Sequence, residues 1–172
     1  MEFQFEQNLP HQREAIERIL ALTGTLHAEH SLNHFANCDI YPNDSKIQAE
    51  LGKIQKDFQL NMKGFTPAQK AVGVAPKPCL YIDVKMETGT GKTYVYTETI
   101  HELHKQLGVS KFILIVPGKA IKAGAKNFIE DPDVRRHFRD TCGYGAEIRL
   151  FEGTEQKGNK KKKLFPSAVP AL

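Results

Sequence analysis

Residues 86–93 read Met-Glu-Thr-Gly-Thr-Gly-Lys-Thr, and they carry the strongest indication of fold in the sequence. An apolar run at 79–84 leads directly into it, and apolar residues at helical spacing follow it through 95–107. Gly89 and Gly91 permit backbone conformations that turn successive N–H groups inward, and the first turn of the following helix presents unpaired amides to the same point. A glycine-rich turn between a strand and a helix is typical of a phosphate-binding loop.

The side chains of this loop predict a nucleotide site with ATP and Mg²⁺ as cofactors. Lys92 is expected to reach the β and γ phosphates and to offset charge in the transition state, and the Thr93 hydroxyl is expected to ligate Mg²⁺. Gln12 follows a proline on a predicted helix, where its amide is able to read adenine through one donor and one acceptor. The alternative for Gln12 alone is an exposed helical glutamine. The predicted cofactor-binding residues are Gln12, Glu87, Thr88, Gly89, Thr90, Gly91, Lys92 and Thr93.

The part of the chain before residue 79 predicts a helical segment. Periodicity predicts one amphipathic helix over 10–24 and a second that begins near Ser45 and is interrupted by Gly52. Glycines and prolines between 64 and 78 then predict a loop.

The part after the loop predicts the remainder of an α/β fold. Gly108 ends the helix that follows the loop, and the apolar run 111–116 predicts the next strand. A helix at 120–128, a short helix capped by Asp131 and a third strand at 147–151 follow. Strands and helices alternating in this order predict a parallel sheet with flanking helices.

Composition describes an ordinary globular chain. It has 172 residues, a net charge of +4 and three cysteines without a CxxC pair, so neither a disulfide framework nor a four-cysteine zinc site is indicated. The longest apolar run, 112–116, is far shorter than the roughly 20 residues that span a bilayer. The first residues lack a signal-peptide pattern. We therefore expect a cytoplasmic protein without a membrane partner.

Two further sequence patterns, one of histidines and a cysteine and one of lysines, each allow two interpretations. His27, His30, His34 and Cys38 share one face if they lie on a helix, where two or three of them would be able to hold zinc, and a metal-free cluster is the alternative. The lysine-rich run 157–163 is either a solvated loop or a contact for the DNA backbone.

Several segments together resemble the restriction subunit of type III restriction–modification enzymes. They read Phe-Glu-Gln-Asn-Leu-Pro-His-Gln at 5–12, Met-Glu-Thr-Gly-Thr-Gly-Lys-Thr-Tyr-Val-Tyr-Thr at 86–97, Lys-Phe-Ile-Leu-Ile-Val-Pro at 111–117 and Ala-Ile-Lys-Ala-Gly at 120–124, with Asn-Phe at 127–128 and Arg-His-Phe-Arg-Asp at 136–140. In that family, part of helicase superfamily two, the position of Gln12 is the adenine-reading motif. Residues 86–93 correspond to motif I, and 116–124 to motif Ia beside the DNA track.

The resemblance implies a fold and a function. The fold is an incomplete RecA-like P-loop domain at 79–172, preceded by a helical segment at 1–78 that carries Gln12 and an insertion. The function is the ATP-binding N-terminal portion of an ATP-dependent DNA translocase in the bacterial cytoplasm, with double-stranded DNA and a modification methyltransferase subunit as partners. The implied DNA-contact candidates are Pro117, Gly118, Lys119 and Lys122.

Motifs for complete catalysis are not recognised in these 172 residues. Hydrolysis requires an acidic pair after a later strand and arginines from a second motor domain, and no predicted strand here ends in Asp-Glu. No nuclease motif is recognised either. We expect motifs I and Ia alone, without DNA-stimulated ATP hydrolysis by these residues. The alternatives are a non-catalytic P-loop binding module and a small P-loop kinase, although a kinase leaves Gln12 and the 116–124 segment without a role.

Overall fold

The computed structural model of the chain describes residues 9–24, 27–29, 39–41, 45–57 and 82–152. None of the described helices is both long and apolar enough to cross a membrane. The elements in chain order are α1 (Pro10–Thr23), β1 (His27–Glu29), β2 (Asp39–Tyr41), α2 (Ser45–Asp57), α3 (Lys92–Leu107), α4 (Lys119–Glu130), α5 (Pro132–Arg136) and a π-helical turn (His137–Thr141).

Helices α1 and α2 form the N-terminal part of the described structure. The first predicted helix is confirmed: Pro10 occupies its first turn, where a missing N–H is harmless, and Gly24 follows its last residue. Helix α2 runs unbroken through Gly52, so the predicted interruption is wrong. A glycine weakens a helix interior by roughly 0.5–1 kcal/mol relative to alanine, which is too little to end the helix. An ion pair of 2.7 Å between Arg18 and Asp57 joins the two helices.

Strands β1 and β2 pair as a short antiparallel ribbon between α1 and α2, with His27 opposite Tyr41. His27 therefore lies in a strand and not on the helix that a shared metal-binding face would require. His30, His34 and Cys38 lie outside the described residues. Within the described ranges, no group of three or more metal-binding side chains is present.

The helices after the loop at 86–93 follow the prediction closely. Helix α3 ends at Gly108, whose φ of +67° suits glycine and whose N–H donates to the His104 carbonyl over 2.9 Å. Helix α4 covers the predicted helix at 120–128. The Asp131 carboxylate caps α5 by accepting from the N–H groups of the second and third residues after it, at 2.8 and 3.2 Å.

The apolar interior is divided between small clusters around α3. Helix α1 packs against α3 and α2, and α4 packs against α3 and α5. One cluster centres on Leu107 and Val109, with Leu103 and Phe112 against it. A second joins α3 to the π-helical turn through Tyr94, Phe128, Val134, Phe138, Cys142 and Tyr144.

The predicted parallel sheet is not formed in the described part of the chain. Residues 82–84, 111–116 and 147–151 have irregular backbone there, while residues 79–81 of the first predicted strand lie outside it. A strand requires a neighbour that completes its hydrogen-bond ladder, and among the described residues no segment pairs with these three. Ile113 and Ile115 are 77% and 87% exposed as a result. The sheet is therefore not confirmed and stays a prediction.

Candidate nucleotide-binding site

The loop at 86–93 adopts the backbone conformation that its glycines predict. Gly89 and Gly91 both have φ of +82°, a left-handed value that L side chains rarely adopt. Gly91 directly precedes α3, so Lys92 is the first residue of the helix. Because the first N–H groups of a helix lack intrahelical acceptors, this end of α3 is a favourable place for an anion.

The side chains of the loop fold back onto its own backbone. The Lys92 ammonium donates to the Glu87 carbonyl over 2.5 Å, and the Thr90 hydroxyl donates to the same carbonyl over 2.7 Å. Lys92 thus spans the loop from the start of α3 to its opposite side. Glu87, Thr88 and Gly89 are exposed, so the outer rim of the loop is open to solvent.

Thr93 lies in the first turn of α3, beside Lys92. It is half-buried, and its carbonyl accepts from the Thr97 hydroxyl one turn later over 2.7 Å. Thr97 is 1% exposed, so this bond lies within the packed face of the helix. The backbone of Thr93 is therefore held firmly at the end of α3 that faces the loop.

Gln12 reaches this loop from α1, 78 residues earlier in the chain. Its side chain is buried at 8% exposure, and its Nε2 donates to the Thr90 carbonyl over 3.0 Å. The neighbouring His11 also contacts that carbonyl, through Nε2 at 3.0 Å. A Cβ on Gly91 would lie too close to the end of the Gln12 side chain, which would have to shift away. The structure thus brings Gln12 and the loop together, and a role for Gln12 in reading adenine stays a prediction.

The four DNA-contact candidates lie together at the start of α4. Pro117, Gly118, Lys119 and Lys122 are all exposed, and Gly118 precedes the helix with extended backbone. Lys122 forms an ion pair of 3.3 Å with Glu152. The lysine-rich run 157–163 lies outside the described residues.

A polar cluster that sequence reasoning missed lies between α3 and the π-helical turn. The Tyr94 hydroxyl is 3.1 Å from His137 Nε2, and the Cys142 thiol is 3.5 Å from the same nitrogen. His101 stacks on Tyr144 with ring centroids 4.8 Å apart. We call this group, together with Glu98, the α3 polar cluster.

Burial moves the titratable groups of the α3 polar cluster toward their neutral forms. Loss of hydration raises the pKa of the Glu98 carboxyl and of the Cys142 thiol, and it lowers the pKa of His101 and His137. The thiol is therefore not an activated nucleophile. The sequence does indicate part of this cluster, because Tyr94, Glu98 and His101 fall on one helical face. A search for apolar periodicity does not detect it, because these side chains are polar.

Known proteins match this chain along almost its whole length. The model of the family described as "Type III restriction enzyme, res subunit" matches residues 7–165. The StyLTI Res subunit of Salmonella typhimurium is 42% identical over 95% of this chain, and the EcoPI Res subunit of Escherichia phage P1 is 36% identical over 97%. The EcoP15I Res subunit of Escherichia coli is 34% identical, also over 97%.

These relatives are much longer proteins. The chain spans 13% of the StyLTI subunit and 17% of each of the other two. The family's domain implies a RecA-like helicase fold. The resemblance found in the sequence is confirmed, and this chain belongs to the family of type III restriction enzyme Res subunits.

Proposed function

We propose that this chain binds ATP with Mg²⁺ at the loop 86–93, as the nucleotide-binding part of a DNA-translocating Res subunit. The observation that carries the proposal is the contact between the Gln12 amide and the Thr90 carbonyl. It places a side chain suited to reading a base beside a loop suited to binding phosphates, although the two are far apart in sequence. Neither a chance glycine-rich turn nor an ordinary surface glutamine requires such an arrangement.

The residues present fit this nucleotide. The left-handed glycines and the start of α3 offer backbone N–H groups, and Lys92 adds a mobile positive charge that now binds the Glu87 carbonyl. The Gln12 amide has two donors and one acceptor, and its bond to Thr90 uses one donor. The second N–H and the carbonyl oxygen suit the edge of adenine.

Each of these residues has a distinct proposed role. Lys92 binds the β and γ phosphates and, during hydrolysis, offsets their growing charge, while Glu87, Thr88, Gly89, Thr90 and Gly91 form the rest of the cradle. Thr93 would hold Mg²⁺ through its hydroxyl, where the ion would supply positive charge beside the phosphates. Gln12 selects adenine.

We further propose that Pro117, Gly118, Lys119 and Lys122 contact the backbone of double-stranded DNA. Their support is their shared exposure at one helix end and the family to which the chain belongs. A modification methyltransferase is the proposed protein partner. The proposed division of the chain is a helical segment at 1–78 and a RecA-like nucleotide-binding part at 79–172.

Calorimetry with MgATP tests the phosphate half of the site. Lys92→Ala should weaken binding about 10- to 100-fold, because a hydrogen bond to a charged group contributes roughly 1.5–3 kcal/mol. Lys105→Ala is the matched control, since it removes the same charge from the last turn of the same helix. Equal ATP affinity in wild type and Lys92→Ala would refute the proposal.

Selectivity between ATP and GTP tests the adenine-binding half of the proposed site. Gln12→Ala should lower the preference for ATP over GTP and leave part of the triphosphate affinity, because base and phosphates contact different groups. A variant that keeps the full ATP preference would return Gln12 to a packing role.

A further inference from the structure

The carbonyl of Thr90 accepts two hydrogen bonds from consecutive residues of α1. His11 Nε2 and Gln12 Nε2 each lie 3.0 Å from it. A carbonyl oxygen has two lone pairs, so both bonds are able to form together. Because the oxygen is an acceptor, Nε2 of His11 must carry the proton. We infer that His11 is a positioning residue that orients the loop for phosphate binding, an inference that rests on the proposed nucleotide site.

The two bonds to the Thr90 carbonyl also orient the planar peptide between Thr90 and Gly91. In a trans peptide the C=O and the N–H point in opposite directions, and no peptide in the described residues is cis. Holding the Thr90 oxygen toward α1 therefore turns the Gly91 N–H away from α1. Gly91 lies between Thr90 and the first residue of α3, so its N–H belongs to the loop's donor set.

Within the loop, the Thr90 hydroxyl bonds to the Glu87 carbonyl, but both neighbours of Thr90 are glycines. Gly89 and Gly91, which flank Thr90, carry no side chain and are the residues with the widest choice of backbone conformation. A single bond from Gln12 leaves the peptide able to pivot about that contact. A second bond from His11 limits the pivot, so fewer loop conformations compete with the one that binds phosphate.

The proposed roles of His11 and Gln12 are separable. Gln12 is buried and has further amide groups for a base, whereas His11 is exposed and contacts the loop through one ring nitrogen. His11 should therefore affect every ligand that carries the phosphates, whatever its base. Gln12 should affect base preference as well.

Binding measurements with MgATP, MgGTP and inorganic tripolyphosphate test this inference. His11→Phe keeps a ring of similar size without a donor, and it should weaken all three ligands by the same factor of about 3–10, the size of one neutral hydrogen bond. His11→Gln restores a donor and should recover most of the affinity. The control is His104→Phe. His104 also contacts a backbone carbonyl, that of Val109, but it lies in the last turn of α3, at the opposite end of the helix from the loop.

The amide signal of Gly91 in ¹⁵N-glycine-labelled protein supplies a second readout without ligand. It should shift in His11→Phe and return toward wild type in His11→Gln. Unchanged binding with an unchanged Gly91 signal would overturn the inference, as would a loss confined to ATP or a failure of His11→Gln to rescue. If the wild-type protein binds none of the three ligands, the proposed function fails, and the Gly91 signal still decides whether His11 orients the loop.

Discussion

The two ends of α3 differ in how their neighbouring segments are held. At its N-terminal end, the loop is held by hydrogen bonds to its own Glu87 carbonyl and by two side chains from α1. At its C-terminal end, Val109 is buried against Leu107, but Ile113 and Ile115 a few residues later face solvent. A glycine-rich loop is thus completed by local conformation and one adjacent helix, whereas a strand requires a whole neighbouring strand.

Two identical substitutions provide the strongest test of this contrast. Ile129 in α4 is 4% exposed, whereas Ile115 is 87% exposed. Ile129→Ala should lower the free energy of unfolding by about 2–5 kcal/mol, because it removes buried methyl groups and leaves a cavity. Ile115→Ala should change it by less than about 0.5 kcal/mol. Denaturant unfolding of both variants measures the difference.

A large loss in Ile115→Ala would contradict the exposed state of this segment. It would mean that residues 111–116 are buried in solution, as the predicted parallel strand requires. The same pair of variants therefore tests whether residues 111–116 form the predicted strand.

The sequence predicted the helices well because their signals are local. Gly108 ends α3 through its own left-handed conformation, and Asp131 caps α5 through bonds to the next few amides. The apolar run 111–116 is also a clear pattern, but it states only that these residues suit burial. The partner that would bury them is not encoded within the run.

Glycine substitutions separate two constraints on the loop. Gly91→Ala should cost the roughly 1–2 kcal/mol of left-handed strain, and its Cβ should also displace the Gln12 amide and weaken its bond to the Thr90 carbonyl. Gly89→Ala should cost the strain alone, since nothing lies within 4 Å of a Cβ there. Gly124→Ala, in the middle of α4, is the control and should be neutral or slightly stabilising.

Unfolding and MgATP affinity should rank these three variants in the same order. If Gly91→Ala were no worse than Gly89→Ala in both measurements, displacing the Gln12 amide would have no measurable effect on the loop.

Part of the candidate site could also be predicted from local sequence patterns. Gln12 is recognisable in the sequence because an amide side chain that follows a proline on a predicted helix suits the proposed reading of adenine. His11 is not, since a histidine on an exposed helix start has no distinctive signal until the Thr90 carbonyl lies beside it. The α3 polar cluster depends in the same way on His137 and Tyr144, which are distant in sequence from Tyr94 and His101.

Lowering the pH should weaken the folded state near the α3 polar cluster. Burial lowers the pKa of His101 below its ordinary value of 6.5, with His104 acting in the same direction and Glu102 opposing it. The unfolded chain therefore takes up a proton first, and the stability present above pH 6.5 is lost as the pH falls toward the lowered pKa. One such group changes the unfolding free energy by at most about 1.4 kcal/mol per pH unit.

His101→Phe isolates this contribution, because phenylalanine is able to stack on Tyr144 without titrating. Its unfolding free energy, measured at several pH values from 7.5 down to 5.5, should fall less steeply than that of wild type. Identical slopes would show that His101 gains its proton equally well in the folded state. His137 contributes in the same direction in both proteins, and Glu98 in the opposite one, so the difference between the slopes reports His101.

The smallest expected effect concerns the proposed DNA contact at the start of α4. Lys122 and Lys126 both pair with Glu152, at 3.3 and 2.6 Å, so each substitution to Gln removes one exposed ion pair and one charge. Of these two lysines, only Lys122 belongs to the proposed DNA-contact set. Lys122→Gln should therefore weaken duplex binding a few-fold and reduce the salt slope of log K by about 0.9, the value for one lost phosphate contact. Lys126→Gln should leave the salt slope unchanged. An equal loss of duplex affinity in both variants would mean that α4 attracts DNA by its overall positive charge and that the start of the helix has no special role.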